Sequence, residues 1–261
     1  MKLIPSFVLC FAIAGASPAQ QLSVSISPNP APLGASITLQ ANAAYGTLFT
    51  PGGCLVTAIR SGSPTGPVVR NFPCTFLAVA IPICGSASPP RQTIWNQAVT
   101  GGTAAPGDYW FQIQHSPAPF GATTTEFFCV RIDGAIPGPT LSAPAAPTWN
   151  SFFSLNINAP LYPTEFFVVA LSGSTNVGIP LGPGQLLCLD DDFLLSLSFP
   201  MPIALFQGFQ SYLDGAGQSA GVGIQFPANP GLICFPFHAQ AAILPVGGGI
   251  VLTNELSLSV M

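Results

Sequence analysis

Charge is nearly absent from this chain. Of 261 residues, five are Lys or Arg and nine are Asp or Glu. Charged side chains make up 5% of the chain, where a soluble domain ordinarily carries ~25%. The chain is nevertheless 49% hydrophobic and contains 20 Phe, whereas disordered chains are poor in such residues. The surface must then be built from Ser, Thr, Gln, Asn, Gly and Pro. Helices that show one side to water usually carry Glu, Lys and Arg there. Their scarcity, beside 27 Gly and 29 Pro, points to strands and turns and so to an all-β fold.

The first 19 residues read as a secretory signal peptide. Lys2 precedes an apolar stretch from Phe7 to Ala14, and Ser17-Pro18-Ala19 supplies a small-x-small cleavage site before Gln20. The stretch is too short for a bilayer, which takes ~20 residues. Later apolar segments are interrupted by Pro, Gly, Asn or Asp, so no membrane span is expected after cleavage. The expected location is secreted, extracellular or cell-envelope. Losing Lys2 leaves four Arg against nine carboxylates. Nucleic-acid binding needs clustered Lys and Arg to neutralise phosphates, so no nucleic-acid partner is expected.

Cys10 leaves with the leader, and Cys54, Cys74, Cys84, Cys129, Cys188 and Cys234 remain. An even count behind a leader reads as disulfides. No C-x-x-C occurs and neither His lies at ligand spacing from a Cys pair, so zinc is not expected. Cys54 and Cys74 flank Ser61-Gly62-Ser63-Pro64-Thr65-Gly66, a hairpin loop, and are expected to pair. Pairing within domains then leaves Cys84 with Cys129 and Cys188 with Cys234.

Leu22–Ser27, Ser36–Ala41 and Asp108–Gln114 alternate as half-buried strands do, and Leu55–Arg60, Pro67–Phe72, Phe76–Ile81, Gln92–Gln97 and Glu126–Ile132 complete a first set. Residues 134–147 are rich in Pro, Ala and Gly without strand pattern and read as a semi-rigid linker. Strands are then expected at Phe152–Asn158, Phe166–Ser172, Gln185–Leu189, Phe193–Phe199, Leu205–Leu213, Ser219–Phe226, Phe235–Leu244 and Val251–Val260, with Asp214-Gly215 as a hairpin turn. Short strands at this spacing indicate sandwiches. The expectation is two tandem antiparallel β-sandwich, immunoglobulin-like domains, at 20–133 and 148–261.

Ser27-Pro28-Asn29-Pro30, Cys54, Cys74, Thr93-Ile94-Trp95-Asn96-Gln97 and Pro106-Gly107-Asp108-Tyr109-Trp110 resemble bacterial immunoglobulin-like modules related to the intracellular proteinase inhibitor domain. The second half resembles a C-terminal module of secreted proteins of planctomycete and myxobacterial type. That likeness lies in Phe167–Ser172, Gly184–Asp190, Leu213–Gly217, Phe237–Ala241 and Leu252–Leu256. The resemblances imply secreted β modules and supply no activity.

Candidate chemistry is sparse. Gly217-Gln218-Ser219-Ala220-Gly221 matches G-x-S-x-G. That motif needs a following helix and an acid before the His, yet a strand pattern follows and no acid lies between Ser219 and His238. Asp190-Asp191-Asp192 is an acid cluster in which Asp190 and Asp192 share a face, a weak calcium candidate. His115 reads as a loop residue, and His238 as a hydrogen-bonded imidazole in a Phe-rich strand. Trp95, Trp110, Trp149 and Tyr109 are candidates for a sugar-stacking platform, with Trp110 on the solvent side of its strand and Trp95 in the core.

The function expected from these features is a non-enzymatic secreted or cell-surface protein with a structural, adhesive or display role. The alternative is an extracellular binding module for a glycan, or for a protease as an inhibitor, using Trp110 or the Ser86–Arg91 loop. A secreted hydrolase built on Ser219 or the three Asp residues comes third.

Overall fold

The computed structural model describes residues 22–33, 35–43, 48–49, 56–72, 79–80, 91–95, 105–115, 124–134, 138–182, 185–199, 204–233 and 235–261. The leader, Cys54, Cys74, Cys84, Cys234 and residues 86–90 lie outside these, and with them the expected Cys54–Cys74 pairing.

Strands β1 (Leu22–Ser27), β2 (Ile37–Ala43) and β7 (Arg91–Trp95) form one sheet in the order β1-β2-β7. β4 (Val56–Ser61), β5 (Val68–Asn71), β8 (Gly107–His115) and β9 (Thr124–Ile132) form a second, in the order β5-β4-β8-β9. The short β3 (Leu48–Phe49) and β6 (Val79–Ala80) pair with each other. All these pairings are antiparallel. The two larger sheets enclose a core of Val24, Leu39, Ile59, Phe111, Ile113, Phe128 and Val130 among others. Alternation puts them there: Tyr109, Phe111 and Ile113 of β8 face inward together. At the start of β8 the Tyr109 hydroxyl donates to the Ala105 carbonyl at 2.8 Å. A tyrosine at this corner, bonded a few residues upstream, is a hallmark of immunoglobulin-like sandwiches, as is the three-against-four sheet order.

The second sandwich begins inside the stretch expected to be a linker. Thr140–Ser142 form β10, paired with β12 (Asn156–Asn158), and Leu141 is buried in the second core. The flanking Pro and Ala hide a strand of three residues, too short to show alternation. The expected strand Phe152–Asn158 is two: at the buried Leu155 the chain leaves β11 (Phe152–Ser154), bonded to β18 (Gly223–Gln225), for β12, bonded to β10. β16 (Phe206–Gln207) completes the sheet β11-β18-β16.

Opposite lies the sheet of β17 (Gln210–Tyr212), β13 (Phe166–Ser172), β19 (Pro236–Leu244) and β20 (Val251–Leu252), with β21 (Leu256–Ser259) also on β19. Its inner face contributes Phe167, Val169, Leu171, Phe237, Ala239 and Ala241 to the core. Its outer face is covered too. There Ala170 and Leu252 pack with Leu187, Leu189 and Leu195, under the hairpin of β14 (Ile179–Gly182) and β15 (Gln185–Leu187) and a helix. That is why β13 is apolar at almost every position.

The helix, α1 (Phe193–Ser198), replaces an expected strand. Leu195-Ser196-Leu197-Ser198-Phe199 alternates, but Asp192 caps the segment by accepting from the Leu195 amide at 3.0 Å. Six helical residues are too few to display a 3.6-residue period. Two further expectations are corrected. Asp214-Gly215 does not make a hairpin, because β17 and β18 belong to different sheets. Asp214 instead closes a wider turn, its carboxylate accepting from Ala216 and Gln218 amides, both at 2.8 Å. Val251–Val260 is not one strand either, since buried Thr253, Asn254 and Glu255 separate β20 from β21.

Candidate functional site

The face of β8 and β9 turned away from the first core carries Trp110, Phe127, Cys129 and Arg131. Each meets the second sandwich, and together they form a seam. Cys129 and Cys188 are disulfide-bonded, with Cα atoms 5.9 Å apart and a sequence separation of 59. This corrects the expected pairings of Cys84 with Cys129 and of Cys188 with Cys234. Both sulfurs lie buried on the seam rather than inside one domain, and cysteine spacing carries no record of that contact. Trp110 is fully buried against the bridge, so it is not the exposed aromatic expected of it.

Polar groups reinforce the bridge. The Phe127 amide donates to Asn176 Oδ1 at 3.1 Å, and the Thr175 hydroxyl donates to the Phe127 carbonyl. Asn29 Nδ2 donates to the Glu255 carbonyl at 2.8 Å, and Asn254 Nδ2 reaches back to the Asn29 carbonyl at 3.1 Å. Arg131, held by Asp108 at 3.0 Å, donates through Nη1 to the Leu252 carbonyl. The buried polar run Thr253-Asn254-Glu255 therefore serves the seam, and Asn254 also pins β10 through both the amide and carbonyl of Leu141. The sequence signal was Asn and Glu interrupting an apolar strand.

His238 lies at this seam, its ring 5.8 Å from that of Phe128. The imidazole is hydrogen-bonded, as expected of it, and its partner is a carboxyl. Nδ1 lies 2.7 Å from Glu255 Oε1 and 3.1 Å from Ser257 Oγ, and Ser257 donates to the same Oε1 at 2.7 Å. Ser, His and an acid are thus together, but in the wrong order for nucleophilic catalysis. A triad places serine and acid on opposite ring nitrogens. Here both sit on Nδ1, the serine proton points at the carboxylate, and His238 and Glu255 are buried. The arrangement fixes β21 to β19.

Ser219 is elsewhere in the network. Its hydroxyl accepts from the Ile157 amide at 2.8 Å, and its own amide donates to the Ile157 carbonyl. Gly217 and Gly221 of the G-x-S-x-G match are turn glycines with φ of 76° and 68°. A Cβ on Gly217 would lie 2.2 Å from the Ala159 carbonyl.

The three aspartates are divided. Asp190 accepts from the Ser174 hydroxyl and from the amides of Asn176, Val177 and Gly178, the last three at 2.8, 2.7 and 2.9 Å. Burial works to raise its pKa, and these four donors outweigh burial and hold the carboxyl below the usual range. Asp192 accepts from Ser172 and Gly173 as well as capping α1. Both carboxylates thus bind the 172–178 loop with N–H and O–H donors, where calcium would require open oxygens. Among the described residues no three His, Cys, Asp or Glu converge in a metal-binding group.

The remaining candidates scatter. His115 ends β8 opposite Thr124, and so extends the strand expected to stop before it. Trp95 ends β7 opposite Ile37. Trp149 is exposed, and Tyr109 is buried in the first core. No helix among the described residues is long and apolar enough to cross a membrane.

No family model and no curated protein matches the chain. Among solved structures it is similar to a tetra-tandem repeat in the extending region of a large adhesion protein, at 10% identity and a TM-score of 0.27. That alignment covers 92% of this chain and 49% of the other, so the chain spans about half of that structure. It is also similar to fibronectin(III)-like modules of Clostridium thermocellum CbhA, at 10% identity, a TM-score of 0.20, and coverage of 91% and 93%. Likenesses this distant carry no argument, and the sandwich assignment rests on the sheet order, the two cores and the Tyr109 corner.

Proposed function

We propose that this chain is a secreted or cell-surface structural module: two sandwiches locked into one stiff unit with a structural, adhesive or display role. The observation that carries the reading is the seam. Domains within one chain ordinarily meet through modest, polar interfaces and move relative to one another. Here a buried disulfide, a buried tryptophan and a run of buried polar residues bind them. A bridge of this kind forms and persists in an oxidising compartment, which agrees with the leader read in the sequence. The residues that resemble catalytic motifs are spent on turns, caps and strand pairing, which supports a non-enzymatic role.

The test is fractionation and surface labelling of cells producing the full chain and a chain lacking residues 1–19. The full chain should be recovered outside the cytoplasm with Cys129 linked to Cys188, and the shortened chain should stay inside with free thiols. Recovery of the full chain in the cytoplasm, or of Cys129 and Cys188 as free thiols outside it, overturns the reading.

A further inference from the structure

We infer that the cleft between α1 and the two sheets of the second sandwich binds a small, uncharged, apolar molecule, a ligand site independent of the scaffold role above. The cleft has a volume of about 370 Å³. Ligand pockets start at roughly 300 Å³, and a sealed cavity of roughly 150 Å³ already takes up benzene. Leu194 and Leu197 of the helix form one wall, Phe206 and Phe226 a second, and Phe235 and Phe237 the floor.

The wall chemistry selects the ligand. Among the described residues three polar ones line the cleft, Asp192, Gln225 and Asn229, and each already makes a hydrogen bond within the protein. Asp192 holds the Leu195 and Gly173 amides and the Ser172 hydroxyl, at 3.0, 2.6 and 2.9 Å. Gln225 Nε2 donates to the Phe226 carbonyl at 3.3 Å, and Asn229 Oδ1 accepts from the Gly231 amide at 2.9 Å. Recognition is left to shape and to transfer of apolar surface out of water, about 25 cal/mol per Å². The ionisable group among the described lining residues, Asp192, is an acid, so an anion such as a fatty carboxylate meets repulsion rather than a partner.

The site is preformed and does not suit a peptide. Asp192 pins the first turn of α1, and Ser198 Oγ pins its end by accepting from the Leu171 amide at 2.9 Å. That same bond, with the pairing of β17 to residues 166–168, occupies the edge of β13 that an added strand would need. Helix and sheet are thus fixed on either side of the apolar cleft.

The probes are N-phenyl-1-naphthylamine, which is neutral and fluoresces on leaving water, and the anionic 1-anilinonaphthalene-8-sulfonate. The neutral probe should bind saturably and be displaced by naphthalene, and the anion should bind at least about tenfold more weakly. Leu197→Trp and, from another wall, Leu232→Trp should each abolish the signal while keeping the wild-type circular dichroism. In the wild type, naphthalene should shift the methyl resonances of Leu194 and Leu197 and leave that of Leu33 in place, which decides the matter even if neither filled variant folds. No saturable binding, undiminished binding by a folded filled variant, equal binding of the anion, or methyl shifts away from the cleft each overturn the inference.

Discussion

In the first sandwich β8 has one face in its own core and a second that the other sandwich covers. β8 sends Tyr109, Phe111 and Ile113 into the core, and its other face contributes Trp110 to the seam. In the second sandwich the central sheet is buried on both sides, and β13 runs Phe-Phe-Val-Val-Ala-Leu-Ser with every position after the first buried. A two-layer sandwich needs only alternation. A sheet covered twice needs extra elements, here the β14–β15 hairpin and a helix of six residues. The helix covers the outer face with Leu195, while its Leu194 and Leu197 stand over the end of the inner core, where the apolar cleft opens. The region with more layers is therefore the one with room for a ligand, and the simpler region supplies the surface that clamps it.

The seam that joins them is open to attack. Replacing both Cys129 and Cys188 by Ser should cost about 4 kcal/mol, the loop-closure value for a sequence separation of 59. Spin labels on the exposed residues Thr65 and Gly215, one in each sandwich, should report a single narrow distance in the wild type and a broad one in this variant. An unchanged distance would mean the polar contacts hold the seam alone. His238→Ala should cost about 3 kcal/mol in denaturant unfolding, because it leaves Glu255 buried with Ser257 as its remaining side-chain donor. A loss under about 1 kcal/mol would show that the carboxyl is easily satisfied without the ring.

Two smaller tests compare the sandwiches themselves. Asp190→Asn in the second should cost about 2 kcal/mol at pH 7, since an amide offers donors to donors. The folded-state pKa of Asp190 is depressed, so its stabilisation is complete above the unfolded value of ~3.9 and is lost as pH falls through the folded value. The gap between wild type and variant should therefore close on acidification below about pH 4, and a gap independent of pH would sink the assignment. Tyr109→Phe in the first sandwich, which removes the bond to Ala105, should cost about 1 kcal/mol of thermal stability.

Legibility followed the same division. β1, β2 and β8 could be read because alternation directly states which side is wet. For Trp110 the same reasoning failed, since alternation separates two faces without naming what covers the second. Phe193–Ser198 was misread because Leu-Ser-Leu-Ser satisfies a strand period, and the deciding signal was the single capping residue Asp192. The fate of Cys129 and Cys188, and the partnership of His238 with Glu255, depend on contacts between distant segments. No local pattern encodes these, although the polar interruption Thr253-Asn254-Glu255 marked the place.

The run at residues 253–255 also sets a timetable. During synthesis Cys129 emerges 59 residues ahead of Cys188, and Asn29 waits through more than two hundred residues for Asn254. Throughout that interval the first sandwich can assemble its own core while Trp110 and a reduced Cys129 stand uncovered. The earlier half of the chain thus presents the apolar and thiol surface on which the later half closes.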